Sequence, residues 1–224
     1  TTEIYTLSLH DALPIFIVID SDVNSSQVSC RIGTNNLQAG IKAAEAALAT
    51  DDEELYIGIV NYDVNSANGQ QRELGFRQTV EQDPRVKNIT TINVLSTTED
   101  ARAGAKEMLL SDSRINVVVT FNEWTSLGVG WAIRDLNRAD RIQVVAFDSN
   151  VVSVGMLETG EVDALIVQNP YAMGYLGVET AANLMNGQTG GPSVVDTATT
   201  IVTRENMYEP ESQKILFSFE EEGY

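Results

Sequence analysis

Short apolar runs alternate with amphipathic stretches along most of this chain. Residues 16–20 (FIVID), 28–32, 55–61 (LYIGIVN), 89–95, 115–121 (INVVVTF), 142–147 (IQVVAF) and 163–168 (DALIVQ) read as strands. They are short and nearly continuously apolar, as strands covered on both faces are. Between them lie stretches with helical spacing. Thr34 is placed to cap a helix over 35–49, with Leu37, Ile41, Ala44 and Leu48 on one face. Further helices are predicted over 69–82, 98–111, 123–138, 151–159 and 171–186. In the last of these Tyr175, Val178, Ala182 and Met185 align, and the segment 194–224 reads as one strand (TTIVT) and a polar end. Strand–helix alternation implies an α/β fold with doubly wound parallel sheets.

In such sheets ligands bind beyond the carboxyl ends of the strands. The residues there are Asp20, Ser21 and Asp22; Asn61, Tyr62 and Asp63; Asn122 and Glu123; Phe147 and Asp148; Gln168 and Asn169. Carboxylates and amides dominate the set. Together they donate to and accept from hydroxyls, which suits a neutral polyhydroxylated ligand.

Composition narrows the classes further. The chain has 224 residues, 43% of them hydrophobic, and a formal charge of -18. That acidity repels phosphate backbones and argues against nucleic-acid binding by this segment. A single cysteine, Cys30, excludes an internal disulfide framework and is read as a small buried hydrophobe. No apolar run reaches the length that spans a bilayer. Residues 1–15 (TTEIYTLSLHDALPI) resemble translated read-through of a sequencing adapter and are set aside. They hold the only histidine, His10, so the remainder lacks the usual general base, and no nucleophile pair or phosphate loop is visible. The expectation is therefore no enzyme, no cofactor and no metal. Asp20 and Asp22 lack further spaced ligands for a metal, and the glycines at 128 and 130 fall inside a helix rather than after a strand. Trp131 reads as core, Trp124 less so, and Glu220–Glu222 as a solvated tail.

Several strand-end segments also occur in order: QQRELGF (70–76), FNEWTSLG (121–128), VVAFDSN (144–150) and ALIVQNP (164–170), preceded by FIVIDSD and IGTNNLQAG (32–40). In this order they resemble the periplasmic type I sugar-binding proteins, nearest the ribose-binding branch, over residues 16–217. The resemblance implies two lobes clasping a monosaccharide or related polyol, for delivery to the membrane permease of an ABC importer. It implies a monomer located in the periplasm or lipid-anchored outside the cell. Arg72 would donate to ring or hydroxyl oxygens; Asn122, Asp148 and Gln168 would hydrogen-bond hydroxyls; Phe147 would offer an apolar face; Asp20 would accept from hydroxyls. Ser21 stands beside Asp20 where the ribose-type pattern has an arginine, and no aromatic residue appears at 97–100 (TTED). On this reading 16–51 with 169–193 form part of the N-terminal lobe, with GQTGGP (187–192) as a crossover loop, and 52–168 with 194–224 form the C-terminal lobe. About 80 residues that open the family's first sheet have no counterpart here, which implies a reading frame truncated at its 5′ end. The alternative is the effector-binding domain of a LacI-type repressor, which shares the fold.

Overall fold

Every apolar run of the sequence forms a strand in the computed structural model, which describes residues 15–188 and 191–217. In chain order the elements are β1 (Ile17–Ile19), β2 (Cys30–Thr34), α1 (Asn36–Leu48), β3 (Leu55–Asn61), α2 (Ala67–Val80), β4 (Val86–Asn93), α3 (Thr98–Ser111), β5 (Val117–Thr120), α4 (Glu123–Leu136), β6 (Gln143–Phe147), α5 (Val151–Thr159), β7 (Ala164–Val167), α6 (Pro170–Met185), β8 (Val194–Thr197), β9 (Thr200–Thr203) and α7 (Pro210–Leu216). The expectations for residues 1–14 with His10, for Thr189 and Gly190, and for Glu220–Glu222 lie outside the described residues.

Two units divide the chain, one made of residues up to Asn35 with Asn169–Ala198, the other of Asn36–Gln168 with Thr199 onward. The first break therefore falls after Asn35 rather than after 51. The reason lies in α1, whose Ala39, Ala43, Ala44 and Ala47 are buried in the core of the larger unit. The third falls after Ala198 rather than after 193, because β8 pairs with β2.

The larger unit is built on a six-stranded sheet in the order β4-β3-β5-β6-β7-β9. Its pairs are parallel except β7 with β9, which run antiparallel. The sheet is thus parallel-dominated, with one antiparallel edge strand. Alternate side chains serve opposite faces. Val119, Val145, Phe147 and Ile166 join α1 and α2 in one core, whereas Val118, Val144, Ala146 and Leu165 join α3, α4, α5 and α7 in the other. Both faces are covered, which is why the strands read as continuously apolar.

Helix starts follow side-chain capping. Ser66, Thr97, Asn122 and Asn169 each accept an N–H three residues on, and Asn150 makes a reciprocal capping box with Ser153. Thr34 ends β2, paired with Thr197, and α1 begins two residues on, at Asn36. The edge strand β4 is largely polar and starts three residues earlier than its apolar residues suggested. On the far side α3 and α4 are joined by Asp135, which accepts from Arg102 at 2.6 Å and 2.8 Å and from Lys106 at 3.1 Å. Hydrogen bonds from Arg102 and then Lys106 hold its carboxyl down at about 2, below the usual 3.8. A lowered folded-state pKa stabilises fully above the ordinary carboxylate range and is lost as pH falls from there toward 2. Urea midpoints at pH 5 and pH 2.5 are thus expected to fall less for Asp135→Asn than for the unsubstituted protein; equal falls would contradict this.

The smaller unit is a three-stranded parallel sheet, β1-β2-β8, with α6 against it. Cys30, Ile32 and Met173 form its small core. The predicted stripe on α6 is not buried within this unit: Tyr175, Val178 and Met185 are all exposed, and Met173 is the helix's one buried residue.

Candidate functional site

At the carboxyl ends of β5, β6 and β7, four of the expected residues meet in one network. Arg72 lies on α2 and is only 2% exposed. A guanidinium taken out of water must spend its N–H groups on acceptors. Its Nε donates to Asn36 Oδ1 at 2.8 Å, Nη1 to the Phe121 carbonyl at 2.6 Å, and Nη2 to Gln168 Oε1 at 2.9 Å. Its flat face lies 4.7 Å from the centre of the Phe147 ring, within cation–π range. Gln168 passes the polarity on, its Nε2 donating to Asp148 Oδ1 at 2.6 Å. Since Arg72 only donates and the Asp148 carboxylate only accepts, the orientation of the Gln168 amide is fixed. The other carboxylate oxygen, Asp148 Oδ2, accepts the Glu123 backbone N–H at 3.1 Å.

Arg72 is seated by a close crossing of α1 and α2. A Cβ built on Gly40 would lie 2.0 Å from the Arg72 carbonyl oxygen, and one on Gly75 would lie 2.1 Å from that of Leu37. Only hydrogen at both positions lets the backbones touch, and this brings Asn36 within reach of Arg72.

Asn122 caps α4. Its Oδ1 accepts from the Thr125 N–H at 2.9 Å and the Thr125 hydroxyl at 2.7 Å, and its Nδ2 donates to Ser96 Oγ at 2.8 Å. Phe147 departs from its expected role. It is fully buried, edge-on to Phe121 at 5.8 Å, and its apolar face is given to Arg72. The more exposed aromatic at this end is Trp124, 49% exposed in the first turn of α4. Trp131 packs against the core and lies under Arg134.

Asp20 and Ser21 belong to the smaller unit, just past β1. The Asp20 N–H donates to the Ile32 carbonyl at 2.9 Å, and the Ser21 hydroxyl donates to Asp20 Oδ2 at 3.2 Å. Neighbouring Asp22 pairs with Arg31 at 3.3 Å. Asp20 has φ of 64° and Asp148 φ of 66°. Left-handed backbone in a non-glycine residue is tolerated best by Asn and Asp, and when held in place it tends to mark functional positions. Both expected ligand carboxylates carry it.

Asn36, Thr125 and Ser126 were not anticipated. Ser126 could have been noticed as a hydroxyl in register with the buried Val129 and Ile133 on one helix face. An open cleft of about 990 Å³ lies at the opposite ends of the strands, lined by Glu45, Asp163, Arg204 and others, and none of the seven expected residues reaches it. Among the described residues no group of three or more His, Cys, Asp or Glu is placed to hold a metal.

A family model described as the periplasmic binding protein domain matches residues 11–189. The chain belongs to this family. As a periplasmic binding protein domain it has the type I α/β architecture, with parallel-dominated sheets. It is 28% identical, over 66% of its length, to the D-ribose/D-allose-binding protein of Pseudomonas aeruginosa, and spans 47% of that protein. A carbohydrate transporter solute-binding protein of Agrobacterium radiobacter, solved with D-arabinose, superposes with a TM-score of 0.85 at 28% identity, covering 90% of this chain and 70% of that one. A sugar ABC transporter sugar-binding protein of Bacillus halodurans gives 0.83 at 27%, covering 92% and 75%.

Proposed function

We propose that this chain belongs to the solute-binding subunit of an ABC-type importer, capturing a monosaccharide or related polyol and doing no chemistry on it. The observation that carries the reading is the Arg72–Gln168–Asp148 relay. It holds a charged donor, an amide and a carboxylate in fixed order at the carboxyl ends of the sheet. A sugar hydroxyl donates one hydrogen bond and accepts others, so it can be matched by Asp148 and by Arg72 or Asn122 together. Asp20 and Ser21 are the contribution proposed for the smaller unit. The larger unit corresponds to the family's C-terminal lobe, and the smaller to part of the N-terminal lobe. Loaded protein would dock on a membrane permease outside the cytoplasm, as periplasmic or lipid-anchored protein.

The test is thermal unfolding of the chain, and of the chain extended upstream to the length of its relatives, against D-ribose, D-allose, D-arabinose and other pentoses, hexoses and polyols. At 100 times the dissociation constant a ligand stabilises by about 2.7 kcal/mol. The extended protein is expected to show such a shift with at least one sugar and the shorter chain a smaller one or none. No shift with any carbohydrate would sink the sugar reading.

A further inference from the structure

We infer that Thr125 and Ser126, two consecutive hydroxyl residues in the first turn of α4, are positioning residues that decide which hydrogen-bonding groups the site presents. The inference deepens the sugar-binding reading and rests on it.

Both side chains are buried, Thr125 fully and Ser126 to 2% exposure. An amide oxygen has two lone pairs. Thr125 meets both on Asn122, one through its backbone N–H at 2.9 Å and one through its hydroxyl, which lies 2.7 Å from Oδ1 and farther, 3.1 Å, from the Asn122 carbonyl. The amide of Asn122 therefore cannot turn over without placing N–H against N–H. One N–H of Nδ2 goes to Ser96 at 2.8 Å. What remains for a ligand is a single N–H donor and no acceptor.

Ser126 fixes where that donor stands relative to the carboxylate. Its Oγ accepts the Phe147 N–H at 2.9 Å. The same oxygen lies 2.7 Å from the Asn122 carbonyl, 2.9 Å from the Phe147 carbonyl and 2.7 Å from Thr120 Oγ1. One hydroxyl thus ties the backbone of Asn122 to that of the residue before Asp148. The Glu123 N–H, donating to Asp148 Oδ2, makes a second tie between the same two strand ends. A donor on β5 and an acceptor on β6 are thereby held at a set separation. A ligand must offer an acceptor oxygen to Asn122 and a hydroxyl proton to Asp148 at matching spacing. The pair would act on selection among sugars, through Asn122 and Asp148, rather than by touching the ligand.

The experiment is a calorimetric double cycle in the upstream-extended protein, using D-ribose, D-allose, D-arabinose and their monodeoxy derivatives. The variants are Asn122→Ala, Thr125→Val, Thr125→Ser and Ser126→Ala. The derivative whose affinity is indifferent to Asn122→Ala identifies the hydroxyl that Asn122 meets. Thr125→Val is expected to weaken the parent sugar about tenfold, as loss of one hydrogen bond does, yet leave that derivative unchanged. Thr125→Ser, which keeps the hydroxyl, is expected to restore binding. Ser126→Ala leaves the Phe147 N–H without its acceptor and is expected to weaken the parent more than the derivative; it serves alone if Thr125→Val does not fold. Equal weakening of parent and all derivatives, no weakening of the parent, or failure of Thr125→Ser to rescue would overturn the inference while leaving the sugar reading intact. No binding of any of these sugars by the unsubstituted protein would overturn both.

Discussion

Replacing Arg72 by alanine is expected to cost the larger unit about 3–5 kcal/mol and to weaken sugar binding at least about a hundredfold. The substitution removes the donor from three acceptors at once: the buried Asn36 Oδ1 and Phe121 carbonyl, and the half-buried Gln168 Oε1. Each stranded acceptor costs about 1–3 kcal/mol, and the vacated volume over the Phe147 ring adds to that. Gln168 also loses the donor that fixes its amide, so one of the groups that orient Asp148 is loosened. Lysine is not expected to rescue, because its ammonium cannot reproduce a planar fork reaching three separate oxygens. Urea unfolding checks the first part and titration calorimetry the second. A variant within about 1 kcal/mol of the parent, or binding within threefold, would contradict this account of Arg72.

Gly40→Ala should be the second severe substitution, and its direction runs against helix propensity. Alanine in a helix interior is normally worth up to about 1 kcal/mol over glycine. Here the added methyl would sit 2.0 Å from the Arg72 carbonyl oxygen, where backbone, not a flexible side chain, stands in the way. Helices α1 and α2 must separate, at a net cost of about 2–3 kcal/mol. Because the obstructed carbonyl is that of Arg72 itself, ligand affinity is expected to fall with stability. Gly155→Ala is the control. Gly155 lies in α5 with nothing within 4 Å of its would-be Cβ, so the same change is expected to be neutral or stabilising. Destabilisation by Gly155→Ala as large as that by Gly40→Ala would show that packing between α1 and α2 is not the cause.

Much of the larger unit was legible because its physics is local. Each inner strand is apolar on both faces, and α2, α3, α4 and α5 each start at a side chain that satisfies one of the first N–H groups. Two elements were missed, and the direction of a third was not foreseen, for different reasons. β8 (VVDT) is short and mostly exposed, so its residues carry little apolar signal. α7 has no side-chain cap to announce it. The antiparallel direction of β9 is decided by its partner β7, far away in sequence. The residues of the α6 stripe do align, but a pattern does not say what covers it, and among the described residues Tyr175, Val178 and Met185 stay exposed.

The site divides in the same way. Strand-end position marked Asn122, Asp148 and Gln168 among many polar residues, and the family resemblance added Arg72, which lies on α2. The left-handed backbone at Asp20 and Asp148, the burial of Phe147 under Arg72, and the service of Asn36, Thr125 and Ser126 depend on residues from different elements meeting. Of these, periodicity marks only Ser126, in register with the buried Val129 and Ile133. Phe147 is the instructive case: an aromatic at a strand end looks available to a ligand until the guanidinium above it is placed.

Calorimetric titration of the upstream-extended protein with D-ribose, D-allose and D-arabinose, in the parent and in Asp148→Ala, tests the central claim most directly. One saturable site with a dissociation constant near 1 μM, about -8.2 kcal/mol, is predicted for at least one sugar, and Asp148→Ala is predicted to abolish it. Absence of binding by the parent, or binding that survives Asp148→Ala unchanged, would contradict the account.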